Sequence, residues 1–204
     1  MKILTLLLIF SIAIITGAKL IEPENSRESQ TQLNVDRLSY NDNVTITEPS
    51  KLATYSTPIL TDDENRYNNI KIVSDRLDGF VLEPGKEFSF NEKLGPYGKD
   101  DGFLEAKILL SNGTESIGYG GGVCQLSTTL YNAIKELNGI EITEHHHHSA
   151  PVAYVPKNQD ATVSLQSNLD FKFKNNNNYA IKFETMYDPD TLTVIVYKKT
   201  SHSN

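Results

Sequence analysis

Two features of the chain are suited to chemistry: Cys124, its only cysteine, and the downstream tract His145-His146-His147-His148. Cys124 ends a glycine-rich run, Gly118-Tyr119-Gly120-Gly121-Gly122-Val123, and opens a stretch of helical periodicity from Gln125 to Ile134. A thiol at a helix N-terminus lies beside backbone N–H groups that lack intrahelical acceptors and at the positive end of the helix dipole, and both favour the thiolate. The glycines allow backbone or substrate to come close. A lone cysteine has no internal disulfide partner, which leaves a buried hydrophobe, a reactive thiol or a metal ligand. The glycine setting argues for the reactive thiol, because a core position does not require three glycines beside it.

The histidines supply a base. Ile140 and Ile142 begin a strand whose alternation, continued without a bulge, turns His146 and His148 inward and His145 and His147 outward. Beyond them, Pro151 to Val155, the turn Pro156-Lys157-Asn158-Gln159 and Ala161-Thr162-Val163 read as a hairpin that returns Asp160 towards His148. Cys124 as nucleophile, His148 as base, Asp160 as its orienting partner and His146 as a reserve base form one catalytic reading. Gly120, Gly121, Gly122, Gln125, Ser127, Thr128 and Tyr131 then border the substrate, with backbone N–H groups at the glycine turn offered to an oxyanion. Imidazoles at i and i+2 with a sulfur could also hold zinc. No His-Glu-x-x-His, cysteine pair or acidic cluster accompanies the tract, so metal ranks below the cysteine–histidine pair and no cofactor is expected.

The elements that must position these groups are short. Ile70, Val73 and Leu77 predict an amphipathic helix from Tyr67 to Leu77, ended by Asp78-Gly79. Phe80-Val81-Leu82 and Phe88-Ser89-Phe90, flanking Glu83-Pro84-Gly85-Lys86, read as a hairpin, and Lys107 to Leu110 as a further strand. Leu126, Leu130, Ile134 and Leu137 form the core stripe of the helix after Cys124, with Asn138-Gly139 as its stop. Alternation at Phe171/Phe173, Ile181/Phe183 and Leu192/Val194/Val196 predicts antiparallel strands. The fold class is therefore α+β, an antiparallel sheet carrying a few short helices and one longer helix at the cysteine. Cysteine on a helix with histidine and aspartate on successive strands resembles the arrangement of papain-like and transglutaminase-like enzymes, an analogy of geometry alone.

With 38% hydrophobic and 22% charged residues, the chain suits one globular domain with extensions. Residues 1–18, an apolar run after Lys2 ending Thr16-Gly17-Ala18, read as an export signal; the run from Ile3 to Ile15 is shorter than the ~20 residues that span a bilayer, making an uncleaved anchor the second choice. Residues 19–50 are polar and aperiodic, a tether, and residues 51–204 form the domain. The expected location is outside the cell or on its surface, with membrane contact only through residues 3–15. A net charge of −7 without a basic patch speaks against nucleic acid as a partner.

The residues also resemble the VanW family of bacterial envelope proteins. The similarity runs through Asn68-Asn69-Ile70, Pro84 to Asn91, Gly95-Pro96, Gly120 to Asn132, His148-Ser149, Tyr154-Val155-Pro156, Asp160 to Val163 and Asp170 to Asn176. The cysteine segment is long enough to be specific. The chain departs from the family where His145-His146-His147-His148 replaces Arg-His-Pro-His and Asn158-Gln159-Asp160 replaces Gly-Arg-Asp. The resemblance implies an envelope setting, a connection with peptidoglycan and association with vancomycin resistance. It does not supply a reaction. The reading that follows is an exported cysteine-dependent acyl-transfer enzyme acting on peptidoglycan stem peptides. A non-enzymatic wall-binding module and a metal-binding hydrolase using the histidines are the alternatives.

Overall fold

The computed structural model describes residues 50–110 and 112–199. The expected export signal, and the tether apart from Ser50, lie outside them. Strand β1 (Ser50–Pro58) is followed by helix α1 (Glu64–Leu77), then β2 (Val81–Leu82), β3 (Glu87–Ser89), the short α2 (Phe90–Leu94) and a 3-10 turn at Lys99–Asp101. The hairpin β4 (Glu105–Leu109) and β5 (Glu115–Tyr119) leads into α3 (Val123–Ile134) and β6 (Ile140–Glu144), and β7 (Lys172–Asn175), β8 (Ile181–Tyr187) and β9 (Thr191–Lys198) complete the order. The strands form three antiparallel sheets, β1-β9-β8-β2, β3-β7-β6 and the β4-β5 pair. Mixed α+β architecture with antiparallel sheets follows the sequence pattern, and no helix among the described residues is long and apolar enough to cross a membrane.

Alternation builds the largest sheet. Leu192, Val194 and Val196 of β9 and Ile181 and Phe183 of β8 are buried, and α3 packs on β9 and β1 with Leu126, Leu130 and Ile134 fully buried. A phenylalanine cluster joins the sheets: Phe88 stacks on Phe173 with centroids 4.9 Å apart, and Phe183 lies 6.0 Å from Phe173. That cluster explains one departure from the sequence reading. Val81–Leu82 and Glu87–Ser89 do not pair with each other; β2 pairs with β8 and β3 with β7, while Phe90 opens α2. The Pro-Gly turn reverses the chain, but burial of Phe88 against Phe173 decides the partner.

A second departure concerns the histidines. Regular pairing of β6 with β7 shifts between Ile142 and Glu144, and the strand stops at Glu144. Alternation therefore does not reach the imidazoles. The segment 151–163 also lacks the expected strands, holding to its surroundings by single hydrogen bonds such as Thr162 N–H to His146 O at 2.9 Å.

The glycine turn that starts α3 is wedged between α1 and β4. Gly122 has φ 108°, and a Cβ there would lie 2.9 Å from Ile70 Cγ1 and 3.0 Å from Arg66 O. Gly121 backs onto β4, where a Cβ would meet Lys107 O at 2.6 Å. Asn69, fully buried on α1, ties the turn down: its Nδ2 donates to Gly121 O at 2.9 Å and Leu104 O at 2.8 Å, and its Oδ1 accepts from Leu104 N at 2.8 Å. Replacing Asn69 with leucine leaves those backbone groups without partners inside the protein. At about 1–3 kcal/mol for an unsatisfied buried group, Asn69→Leu is expected to lower unfolding free energy by roughly 3 kcal/mol, measured by denaturant titration. A change within ~0.5 kcal/mol would mean the turn is held by other contacts.

Candidate active site

Cys124 is the second residue of α3 and half-buried. Its first-turn neighbours direct their N–H groups backwards, Val123 to Gly120 O and Gln125 to Gly122 O, each at 3.0 Å. The thiol faces the segment that follows Asp160. Val163 N–H approaches Sγ at 3.5 Å, Val163 O lies at 3.4 Å and Thr162 Oγ1 at 3.6 Å.

That segment is stapled to α3 by polar side chains on one helix face. Asn132 Nδ2 donates to Gln159 O at 2.7 Å, Ser127 Oγ to Ala161 O at 2.6 Å and Thr128 Oγ1 to the same oxygen at 3.2 Å, while Ala161 N–H donates to Thr128 Oγ1 at 2.9 Å. Asp160 is thereby fixed, 7% exposed, beside the histidines. Its Oδ2 accepts from both the backbone N–H of His148 at 2.6 Å and the ring Nδ1 at 2.8 Å. The imidazole side chain of His148 is only 6% exposed. With Nδ1 directed at a carboxylate, Nδ1 is the donor and the other ring nitrogen is left as the acceptor, and the charge of His148 favours the thiolate of Cys124.

The remaining histidines take other roles. His145 stacks on Tyr131 with centroids 4.2 Å apart and donates from Nε2 to Asp160 O at 2.8 Å. His147 Nδ1 donates to Asp160 Oδ1 at 3.1 Å, adding a second ring to the carboxylate. His146, the reserve base of the sequence reading, turns the other way and donates to Glu144 Oε1 at 3.0 Å. Lys172 first, and His146 second, hold the Glu144 carboxyl down at about 2. Three imidazoles thus gather on Asp160 and His146 turns to Glu144, and among the described residues no group of three His, Cys, Asp or Glu side chains is placed to hold a metal.

Several residues expected to line the substrate make hydrogen bonds or ring contacts that hold the structure. Ser127 and Thr128 form the staples above. Gln125, 1% exposed, donates its amide to Thr57 Oγ1 at 3.2 Å and Pro58 O at 2.9 Å. Tyr131 supports His145. Gly120, Gly121 and Gly122 shape the turn, and the N–H of Cys124, too early in the helix for an intrahelical acceptor, is the donor best placed for an oxyanion. Sequence reasoning missed Tyr154 and Asn132. Burial, then the charge of Cys124, push the Tyr154 phenol above its ordinary range. Asn132 lies on the same helix as Cys124, but its partner Gln159 is distant in the chain, as Tyr154 is from Cys124.

The electrostatics form one coupled system. Burial disfavours ionisation of Cys124, but the hydrogen bond and charge of His148, with donors from Val163 and Thr162, outweigh it and hold the thiol below its ordinary value. Burial likewise opposes charging His148, yet the thiolate and then Asp160 raise its pKa. Burial pushes the Asp160 carboxyl up, and the N–H groups of His148 bring it below the usual range. The shifts of the thiol and the imidazole both run towards charge exchange between them, with the Asp160 carboxylate beside the ring.

Comparison with known proteins follows the same residues. The family model described as VanW like protein matches residues 65–197. The chain is 33% identical over 147 residues to the uncharacterized protein YoaR of Bacillus subtilis (strain 168), covering 72% of this chain and 48% of that protein. It is 32% identical over 68 residues to the vancomycin B-type resistance protein VanW of Enterococcus faecalis (strain ATCC 700802 / V583), covering 33% of this chain and 24% of that protein. The chain thus spans about half the length of the first and a quarter of the second. No solved structure matches.

Alkylation of Cys124 by neutral iodoacetamide, followed against pH, reads the pair. In the wild type the rate is expected to inflect below the ~8.5 of a free thiol. His148→Ala removes the main influence that lowers the thiol pKa and leaves burial opposed only by the hydrogen bonds of Val163 and Thr162, so the inflection should move up by about one unit. His146→Ala, altering a ring turned towards Glu144, should leave it in place. An inflection that follows His146 and ignores His148 would reverse the assignment.

Proposed function

This chain belongs to the VanW-like protein family, and from that membership and the geometry around Cys124 we propose that it is an exported cell-envelope cysteine enzyme transferring acyl groups on peptidoglycan-related peptides. One observation carries the chemistry: a buried His148 imidazole held by Asp160 at 2.8 Å, with the sole cysteine packed 3.4 to 3.6 Å from Val163 and Thr162 in the segment that follows that aspartate. Envelope location rests on the apolar leader read in residues 1–18 and on the resistance function named in the Enterococcus relative.

The chemistry runs in two balanced steps. The Cys124 thiolate adds to an amide carbonyl carbon, and the resulting oxyanion is offered the Cys124 N–H. His148 gives its proton to the departing amine as the carbon–nitrogen bond breaks, leaving a thioester. Neutral His148 then takes a proton from water, or from an acceptor amine, as that nucleophile attacks the thioester carbonyl and expels the thiolate. Asp160 holds the ring in one tautomer throughout and balances the imidazolium. Water gives hydrolysis; an amine gives transpeptidation.

Purified protein incubated with muropeptides and analysed by mass spectrometry tests this reading. Product formation is expected, together with an acyl adduct on Cys124 after acid quench, and Cys124→Ala should lower turnover by about a thousandfold or more. Turnover that Cys124→Ala leaves intact would overturn it. Muropeptide binding without turnover, equal in the two proteins, would identify a binding module instead.

A further inference from the structure

Arg66 reaches from α1 across the start of α3. Its stem lies on the glycine turn, where a Cβ on Gly122 would stand 3.4 Å from Arg66 Cγ. One guanidinium nitrogen donates to Gln125 Oε1 at 3.1 Å. Gln125 has no freedom to do otherwise: its amide nitrogen is fixed by Thr57 and Pro58, so only the carbonyl oxygen faces the arginine. The partner is therefore neutral.

Arg66 is half-buried, and among the described residues it forms no ion pair. A guanidinium carries five N–H donors in a planar fork suited to a carboxylate, and one of them is used here. Arg76, the other arginine among the described residues, serves a structural purpose, donating to Leu94 O at 2.7 Å and Pro96 O at 2.6 Å. A chain of net charge −7 has acidic side chains in excess, yet none is placed on Arg66. Gly122, on which the arginine stem lies, and Gln125, to which its guanidinium donates, flank Cys124 at the start of α3, so the cation borders the same helix start as the thiol.

We propose, resting on the acyl-transfer reading above, that Arg66 receives a free carboxylate of the substrate and directs Cys124 to an amide bond beside the C-terminus of a peptide. The thiolate bonds to the carbonyl carbon, the carbon–nitrogen bond breaks, and the terminal residue leaves as an amine that takes the proton of His148 and carries its carboxylate away from Arg66. Water then cleaves the thioester and restores the proton to His148. Gln125 is a positioning residue, supplying a hydrogen bond that aims the guanidinium without neutralising it.

Iodoacetate and iodoacetamide test the cation without a known substrate. Each forms a carbon–sulfur bond with loss of iodide, and they differ in bearing a carboxylate or an amide. The readout is the ratio of their rate constants on Cys124 in the full chain, a ratio that the amount of thiolate does not move, read in variants whose iodoacetamide alkylation still depends on His148 and which are therefore folded at the site. Removing one opposite charge at short range is expected to lower it about tenfold in Arg66→Met, with Arg66→Lys retaining part of the preference. The same ratio in wild type and Arg66→Met, with iodoacetamide alkylation still dependent on His148, would overturn the carboxylate site and leave the cysteine reading standing. A wild-type thiol inert to both reagents at every pH would remove the acyl-transfer reading and this proposal with it.

Discussion

The site depends on how α3 holds the segment 159–163. That segment has no strand ladder, and its backbone groups are satisfied by the side chains of Ser127, Thr128 and Asn132 and by the thiol of Cys124. These polar residues replace the apolar ones that a helix would ordinarily turn towards a neighbour. The result is a fixed distance between the helix that carries Cys124 and the chain that carries Asp160. His148 is trapped between them by two hydrogen bonds to one carboxylate oxygen. On the other side, the glycine turn lets α3 begin tight against α1, with Asn69 closing the joint. Cys124, His148 and Asp160 thus come from three stretches of chain clamped by buried hydrogen bonds, a form of connection that tolerates little displacement.

Burial works against every charge in this cluster. Cys124, His148 and Asp160 would each be driven neutral by their surroundings if alone. Together they charge one another, and the partner contributions exceed the desolvation cost in each case. Cooperation of this kind makes the thiolate conditional on the histidine and the imidazolium conditional on both acids. It also separates His148 from its three neighbours in the tract, which share its side chain and differ in what they touch. Identity in sequence does not give equal chemistry.

Much of this was legible in the residues because it is local. The glycine run before Cys124, the helical stripe of Leu126, Leu130 and Ile134, and the alternation of Leu192, Val194 and Val196 each report a period or a turn within a short window. Pairing is not local, and the Val81–Leu82 and Glu87–Ser89 strands went to distant partners because Phe88 is buried against Phe173. The inward placement of His146 failed for a related reason: pairing stops at Glu144, after which each imidazole follows its own hydrogen bond. Ser127, Thr128 and Gln125 carry no sign in sequence that their partners lie at Ala161, Thr57 and Pro58. Their helical positions were readable, but their duties were set by segments far away along the chain.

The central claim is that Cys124 and His148 share charge. Nuclear magnetic resonance titration of the His148 ring in the wild type and in Cys124→Ser tests it most directly, because serine keeps the geometry and removes the thiolate. The account predicts a wild-type pKa above the ~6.5 of a free imidazole and a clear fall in Cys124→Ser, where burial acts against Asp160 alone. Superimposable titration curves in the two proteins would contradict it, showing a histidine charged by Asp160 or not at all and a cysteine that only packs.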